Sequence, residues 1–329
     1  MKKYLLSINS VNIAKNTKFV LLSKKGMYKL EPILRPMVWG SELWVLSGYP
    51  ERISVVAGGP YSGLTINELV AKEKERLVGT KVYAAYGDEF PLLVKFLDVH
   101  APLSIQVHPC EELAQRRHGA HGKTEMWYVI RAGEDAGLMA GFSQPITPEE
   151  YVRRVADGSI TEVIAHHDIA AGDVFFIPPG RVHALCKDSY IAEIQQTSDM
   201  TYRIYDYNRP GLDGKPRELH TELAKDALDY KVYDEYKTPY TPARDREVEL
   251  VECPYFTTSV IDLQKPLVKD LGAMDSFLIV MCLEGSAELR TGEESARIAA
   301  DGCILVPASA SSIEFTPGPD GFKALLSHL

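Results

Sequence analysis

Short apolar runs, each closed off by glycine or proline, recur along most of this chain and constrain its fold more than any other feature. They include Phe90–Val99, Leu103–Val107, Met126–Ile130, Asp173–Ile177 and Tyr190–Gln195, then Phe277–Leu283, Ser286–Leu289 and Cys303–Val306. Runs this short match strands rather than helices. Their close spacing predicts a mainly β architecture, an antiparallel sandwich or barrel rather than a doubly wound α/β sheet. No glycine-rich dinucleotide or phosphate loop follows any of them.

Helix signals are few. Thr65-Ile-Asn-Glu68 has capping-box spacing and predicts a helix running to about Val78. Thr147, followed by Pro148 and Glu150, predicts an N-cap for a helix ending near Gly158. Glu111–Arg117 reads as a short helix between two strands, and Thr221–Leu228 as a helical piece within a polar stretch rich in Pro and Tyr, 206–246. That stretch separates two β regions. With 329 residues the chain has room for two domains: an N-terminal extension over 1–26, since Met27 looks like a natural beginning, a first domain over 27–240 and a second over 241–329. A weak internal echo relates the two. Ala171 to His183 can be laid on Ala299 to Ser311, so that Asp173 meets Asp301, Pro179 meets Pro307 and His183 meets Ser311.

The net charge of −9 argues against a nucleic-acid partner. It leaves open an anionic small molecule held by locally converging Lys and Arg. Five cysteines, none in C-x-x-C spacing, fit free thiols in a reducing compartment. No stretch approaches the roughly 20 apolar residues that cross a bilayer. The chain therefore reads as a cytoplasmic protein, a monomer or weak homo-oligomer.

Four residues in strand contexts could hold a metal. Gln106 and His108 stand two apart in Ser104-Ile-Gln-Val-His108, so both side chains point to one face. Glu125 opens the next strong strand, and His183 follows a Pro-Pro-Gly turn. Two imidazoles, a carboxylate and an amide oxygen suit zinc or a similar divalent ion, although buried histidines also serve as ordinary core residues.

Taken together, Pro91–Asp98, Leu103–Pro109, Gly122–Tyr128, Pro179–Ala184 and Thr201–Asn208 resemble type I mannose-6-phosphate isomerase (phosphomannose isomerase) in its shorter bacterial form. The resemblance runs from about Leu30 to the C-terminus. It implies two cupin domains of jelly-roll type, the second without metal ligands, and one zinc ion held by Gln106, His108, Glu125 and His183. It further implies a catalytic Arg203, an active-site Glu193 and a sugar-phosphate site that includes Lys123, with Lys95 and Ser104 as further members. In one departure from the family pattern, Trp39-Gly40 runs almost directly into Ser41-Glu-Leu-Trp44, where relatives carry a longer loop.

Aldose–ketose isomerisation moves a proton between adjacent carbons through an enediolate-like intermediate. Arg203 stays charged and can steady an oxyanion, Glu193 can carry the proton, and Lys123 suits either phosphate binding or proton transfer. Lys95, within an apolar strand, can also be read as snorkelling to the surface. Two other readings compete: a non-catalytic cupin that binds metal and sugar, and a cupin oxygenase using iron, whose sites want more histidine.

Overall fold

A computed structural model describes residues 26–329. The segment expected to lie outside the core, 1–26, falls outside these residues apart from Gly26. Met27 is buried in the core of the C-terminal half, and Tyr28–Lys29 pairs with Leu305 and Ile304 there.

Two antiparallel sheets form the first half. The larger has six strands in the order Ile33–Met37, Gly40–Ser47, Leu92–Val99, Ser189–Gln196, Glu125–Ala132 and Val174–Ile177. The smaller has five, in the order Tyr202–Tyr205, Ile105–Val107, His183–Leu185, Gly137–Phe142 and Ile164–Asp168. Their inner faces meet: Leu97, Trp127, Val129 and Ile191 from the first pack with Leu138, Ala140 and Leu185 from the second. The outer face of the smaller sheet is covered by the helices Pro148–Asp157 and Thr221–Ala227, through Tyr151 and Ala224. The C-terminal half supplies seven strands of an eight-stranded antiparallel sheet that Tyr28–Lys29 completes. The chain is thus the mainly β, two-part cupin architecture that the strand spacing and the resemblance imply.

One shared core joins the halves. Along Leu278–Leu283 the even residues (Leu278, Val280, Cys282) pack inside the C-terminal sheet, while Ile279, Met281 and Leu283 pack against the first half. The same alternation splits Leu92–Val99: Leu92, Val94 and Phe96 face this shared core, and Leu97 and Val99 face inward. Strands buried on both faces read as unbroken apolar runs, which is why these two stood out. The runs Phe277–Leu283 and Ser286–Leu289 belong to a single strand, Leu278–Thr291.

The Thr65 capping box forms as its spacing predicts, with Glu68 N–H donating to Thr65 Oγ1 and Thr65 N–H to Glu68 Oε2. The helix does not reach Val78. It covers Ile66–Glu73 and breaks at Lys74, whose φ is 50°. A single turn, Glu75–Val78, follows, and then a helix not evident from sequence, Thr80–Tyr86. The carbonyls of Arg76 and Leu77, in the last turn before Gly79, accept the N–H groups of Ser309 and Ala308 from the other half, which satisfies groups that a helix end leaves open.

The Thr80–Tyr86 helix has no cap of its own. Asp275 of the C-terminal half accepts from Thr80 N–H at 2.7 Å and from Lys81 N–H at 3.2 Å. A carboxylate there satisfies two orphan donors and complements the helix dipole. Asp275→Ala should lower the midpoint of denaturant unfolding. No change in the midpoint would show that the contact contributes nothing to the join between the halves.

Candidate metal centre and active site

Strand register explains why the ligand candidates converge. Arg203 lies directly opposite Gln106, and Gln106 directly opposite His183, in one row across the smaller sheet. Alternation keeps Ser104, Gln106 and His108 on the same face. Glu125 and Glu193 come from the facing six-stranded sheet, where Glu193 is opposite Lys95 on one side and Trp127 on the other. Lys95 is in turn opposite Trp44.

His108, Glu125 and His183 are fully buried, with donor atoms all within 4.8 Å of one another. His183 Nε2 is 3.2 Å from Glu125 Oε1, and His108 Nε2 is 3.5 Å from Glu125 Oε2. The Gln106 amide is 3.2 Å from His183 Nε2; its oxygen and nitrogen exchange by a simple flip. Donors about 2.0–2.1 Å from a tetrahedral ion lie roughly 3.3–3.5 Å apart, and the three separations above, 3.2, 3.5 and 3.2 Å, lie close to that. Each imidazole is anchored through its other nitrogen. His108 Nδ1 pairs with the Met200 carbonyl and His183 Nδ1 with the Arg181 carbonyl, both at 2.8 Å. With Nδ1–H spent on a carbonyl, Nε2 keeps its lone pair for the shared point. His108 Nε2 and both Glu125 oxygens make no hydrogen bond of good geometry. Buried polar atoms without partners are costly, and a divalent cation would satisfy all three.

Electrostatics support the same fit. Burial, reinforced by the Lys123 charge, pushes His108 down to about 3, and burial also lowers His183, so both rings are neutral. Burial works to raise Glu125, but the Lys123 ammonium outweighs it and holds the carboxyl well below its ordinary value.

Beside this set lies a chain of buried charges. Lys123 Nζ is 2.8 Å from Glu125 and 3.4 Å from Glu193, and Lys95 Nζ is 3.2 Å from Glu193. Burial, then the neighbouring Glu125 charge, raises Glu193 to about 7 against the pull of the two lysines. For Lys123, burial favours the neutral amine, yet Glu125 and Glu193 prevail and keep it an ammonium above its ordinary value. Lys95 is only 3% exposed, so it does not snorkel. Both faces of its strand are covered, and its charge is met by Glu193.

Arg203 is half-buried, and its Nη1 donates to the Glu218 carbonyl at 3.0 Å while Nε has no partner. A register shift between Arg203 and Tyr205 leaves Tyr202 and Ile204 in the outer core. Asp206, just beyond, is gripped by Arg217 Nε at 2.7 Å and Arg209 Nε at 3.0 Å. Ser104 is buried at the start of the neighbouring strand.

Three residues outside the expected set belong to this neighbourhood. Glu42 accepts from Trp44 Nε1 at 2.6 Å and from Arg35 at 3.0 Å, and the Arg35 guanidinium sits 4.6 Å from the Trp44 ring centre. The shortened segment after Trp39 is a tight hairpin in which Gly40 has φ +146°, and a Cβ there would fall on the Asp98 carbonyl oxygen. The hairpin still delivers Glu42 and Trp44 to the inner face. Their Glu-x-Trp spacing was visible in the sequence, but the contact with Lys95 depends on cross-strand register.

Comparison with known proteins agrees with this geometry. Residues 28–128 match the model of the type I phosphomannose isomerase catalytic domain, and residues 246–317 that of the mannose-6-phosphate isomerase cupin domain. The mannose-6-phosphate isomerase of Streptococcus mutans is 33% identical over 275 residues, covering 83% of this chain and 84% of that protein. The crystal structure of mannose 6-phosphate isomerase from Bacillus subtilis superposes with a TM-score of 0.83 at 30% identity, over 93% of this chain and all of the other. A more distant mannose 6-phosphate isomerase, crystallised with zinc and yttrium, shares the fold with a TM-score of 0.72 at 17% identity, over 92% of this chain and 99% of that one. The chain belongs to the type I mannose-6-phosphate isomerase family.

Proposed function

We propose that this protein interconverts mannose 6-phosphate and fructose 6-phosphate with one zinc ion held by Gln106, His108, Glu125 and His183. The observation that carries this reading is a buried carboxyl, Glu193, set between two ammonium groups beside a buried N/O ligand set. The zinc in a relative of the same fold supports the choice of metal. Five free thiols and the absence, among the described residues, of a helix long and apolar enough to cross a membrane fit a cytoplasmic site of action.

The reaction takes a proton from carbon 2 of the aldose and places it on carbon 1. Ionised Glu193 can accept that proton and then return it to the neighbouring carbon. The proton lost at O2 and the one gained at O1 balance on Lys95: its ammonium, beside Glu193, gives a proton to O1, and the amine left takes the one from O2. Its raised value makes Lys123 a charge stabiliser rather than a base. A bound zinc supplies Lewis-acid stabilisation of substrate oxygens. Arg203, with Ser104 on the adjacent strand and Arg209 and Arg217 around Asp206, offers the positive end for the phosphate and for developing negative charge.

Purified protein should convert mannose 6-phosphate to fructose 6-phosphate, lose that activity to a chelator and regain it with zinc. Folded, zinc-loaded protein without turnover would sink the reading and favour a metal- and sugar-binding module. Arg203→Ala should keep zinc and lose turnover about 100-fold, whereas His183→Ala should lose both. Stoichiometric zinc in the His183 variant would remove that residue from the ligand set.

The Glu193 environment is open to a direct titration. In metal-free protein carrying 13C-labelled glutamate, one carboxyl signal should titrate near 7. Lys95 favours the ionised form, so Lys95→Met should move that titration upward. An unmoved or lowered value would show that the pair does not set the carboxyl's proton affinity.

A further inference from the structure

We propose that Glu111 is a positioning residue for Lys123, acting through a clasp that ties the 121–124 turn to the helix following His108. The inference rests on the isomerase reading only in taking Lys123 as part of the reacting site.

Glu111 opens the helix Glu111–His118, three residues beyond His108. Its Oε1 meets His121 Nδ1 at 2.9 Å, and its Oε2 accepts from Gly122 N–H at 2.9 Å and from Gln196 Nε2 at 3.1 Å. Gln196 completes the loop, since its Oε1 accepts from Thr124 N–H at 2.9 Å. Lys123 is therefore held on both sides, by the amides of Gly122 and Thr124, each traceable to one carboxylate. On the far side of His121, Nε2 faces Glu89 Oε2 at 3.4 Å. The bond to Glu89, with that to Glu111, overcomes burial and lifts His121 to about 9, so the clasp is a cation between two anions at neutral pH. Charge-assisted bonds of this kind are about twice as strong as neutral ones.

The same network reaches the second ligand-bearing segment. Ser198 Oγ donates to the His121 carbonyl at 2.9 Å and accepts from Met200 N–H at 3.3 Å. The Met200 carbonyl orients His108. Lys123 has only a short turn to aim a long, flexible side chain at Glu125 and Glu193. A 1 Å misplacement of such a group costs on the order of 100-fold in rate, so the geometry of that turn is a quantity the site depends on. None of Glu111, His121 or Gln196 is a ligand candidate or faces the reacting groups directly. Their part is to hold Lys123.

Glu111→Ala and Glu111→Gln, compared with wild type, test the proposal by steady-state kinetics, zinc content and acylation of Lys123 by an N-hydroxysuccinimide ester, read by peptide mass spectrometry. Glu111→Ala should keep one zinc per chain and a KM within threefold of wild type. Its kcat should fall at least tenfold, and Lys123, now 5% exposed in its side chain, should become acylated several-fold faster. Glu111→Gln, which can still accept from Gly122 N–H, should recover a large part of both effects and carries the comparison if the alanine variant does not fold. Unchanged kcat and acylation would overturn the proposal, as would a kcat loss that follows loss of zinc. Were the wild type itself inactive on mannose 6-phosphate, the function would fail, and the acylation rates alone would decide the clasp.

Discussion

Two ionisable carboxyls, Glu125 and Glu193, are buried between the two sheets, and everything around them follows from the need to compensate that burial. An unpaired carboxylate in such a place is too costly to keep. Glu125 is met by Lys123, and with the lone pairs of two imidazoles it faces one spot that a cation would fill. Glu193 is met by Lys95 and Lys123 but lies close enough to Glu125 to be pushed up. One carboxyl is thereby held as an anion, fit to bind a cation. The other is left balanced between its two forms, fit to carry a proton. Environments that push two like groups apart are what acid–base chemistry at neutral pH requires.

The scaffold makes this possible through a division of faces. The six-stranded sheet turns one face to the shared core between the halves and the other to the site. Alternation along Leu92–Val99 therefore puts Lys95 among inward residues while Leu92, Val94 and Phe96 weld the sheet to its neighbour. Rigid strands locate Gln106, His183 and Arg203 in one row. The side chains that need most freedom of aim, Lys123 and His108, are instead fixed by carboxylate and carbonyl anchors at their turns.

What could be read in advance tracks how local each feature is. Gln106 and His108 are two apart on a strand, and the Thr65 and Thr147 caps lie within four residues of their partners, so sequence spacing alone exposes them. The contact of the Glu75–Val78 turn with Ala308 and Ser309 was hidden because its partners lie more than two hundred residues away. Glu42, Trp44 and Arg35 were hidden for a related reason: their approach to Lys95 comes from the pairing of Trp44 with Lys95 across two strands. Lys95 itself had two readings, and only burial on both faces of its strand selects between them.

The central claim is that this burial has built a zinc site of mixed nitrogen and oxygen donors. X-ray absorption at the zinc edge of the loaded protein measures it most directly. The account predicts a first shell of light atoms at about 2.0–2.1 Å that includes two imidazoles and no sulfur. A sulfur shell near 2.3 Å, or zinc bound without imidazole, would place the metal elsewhere and contradict it.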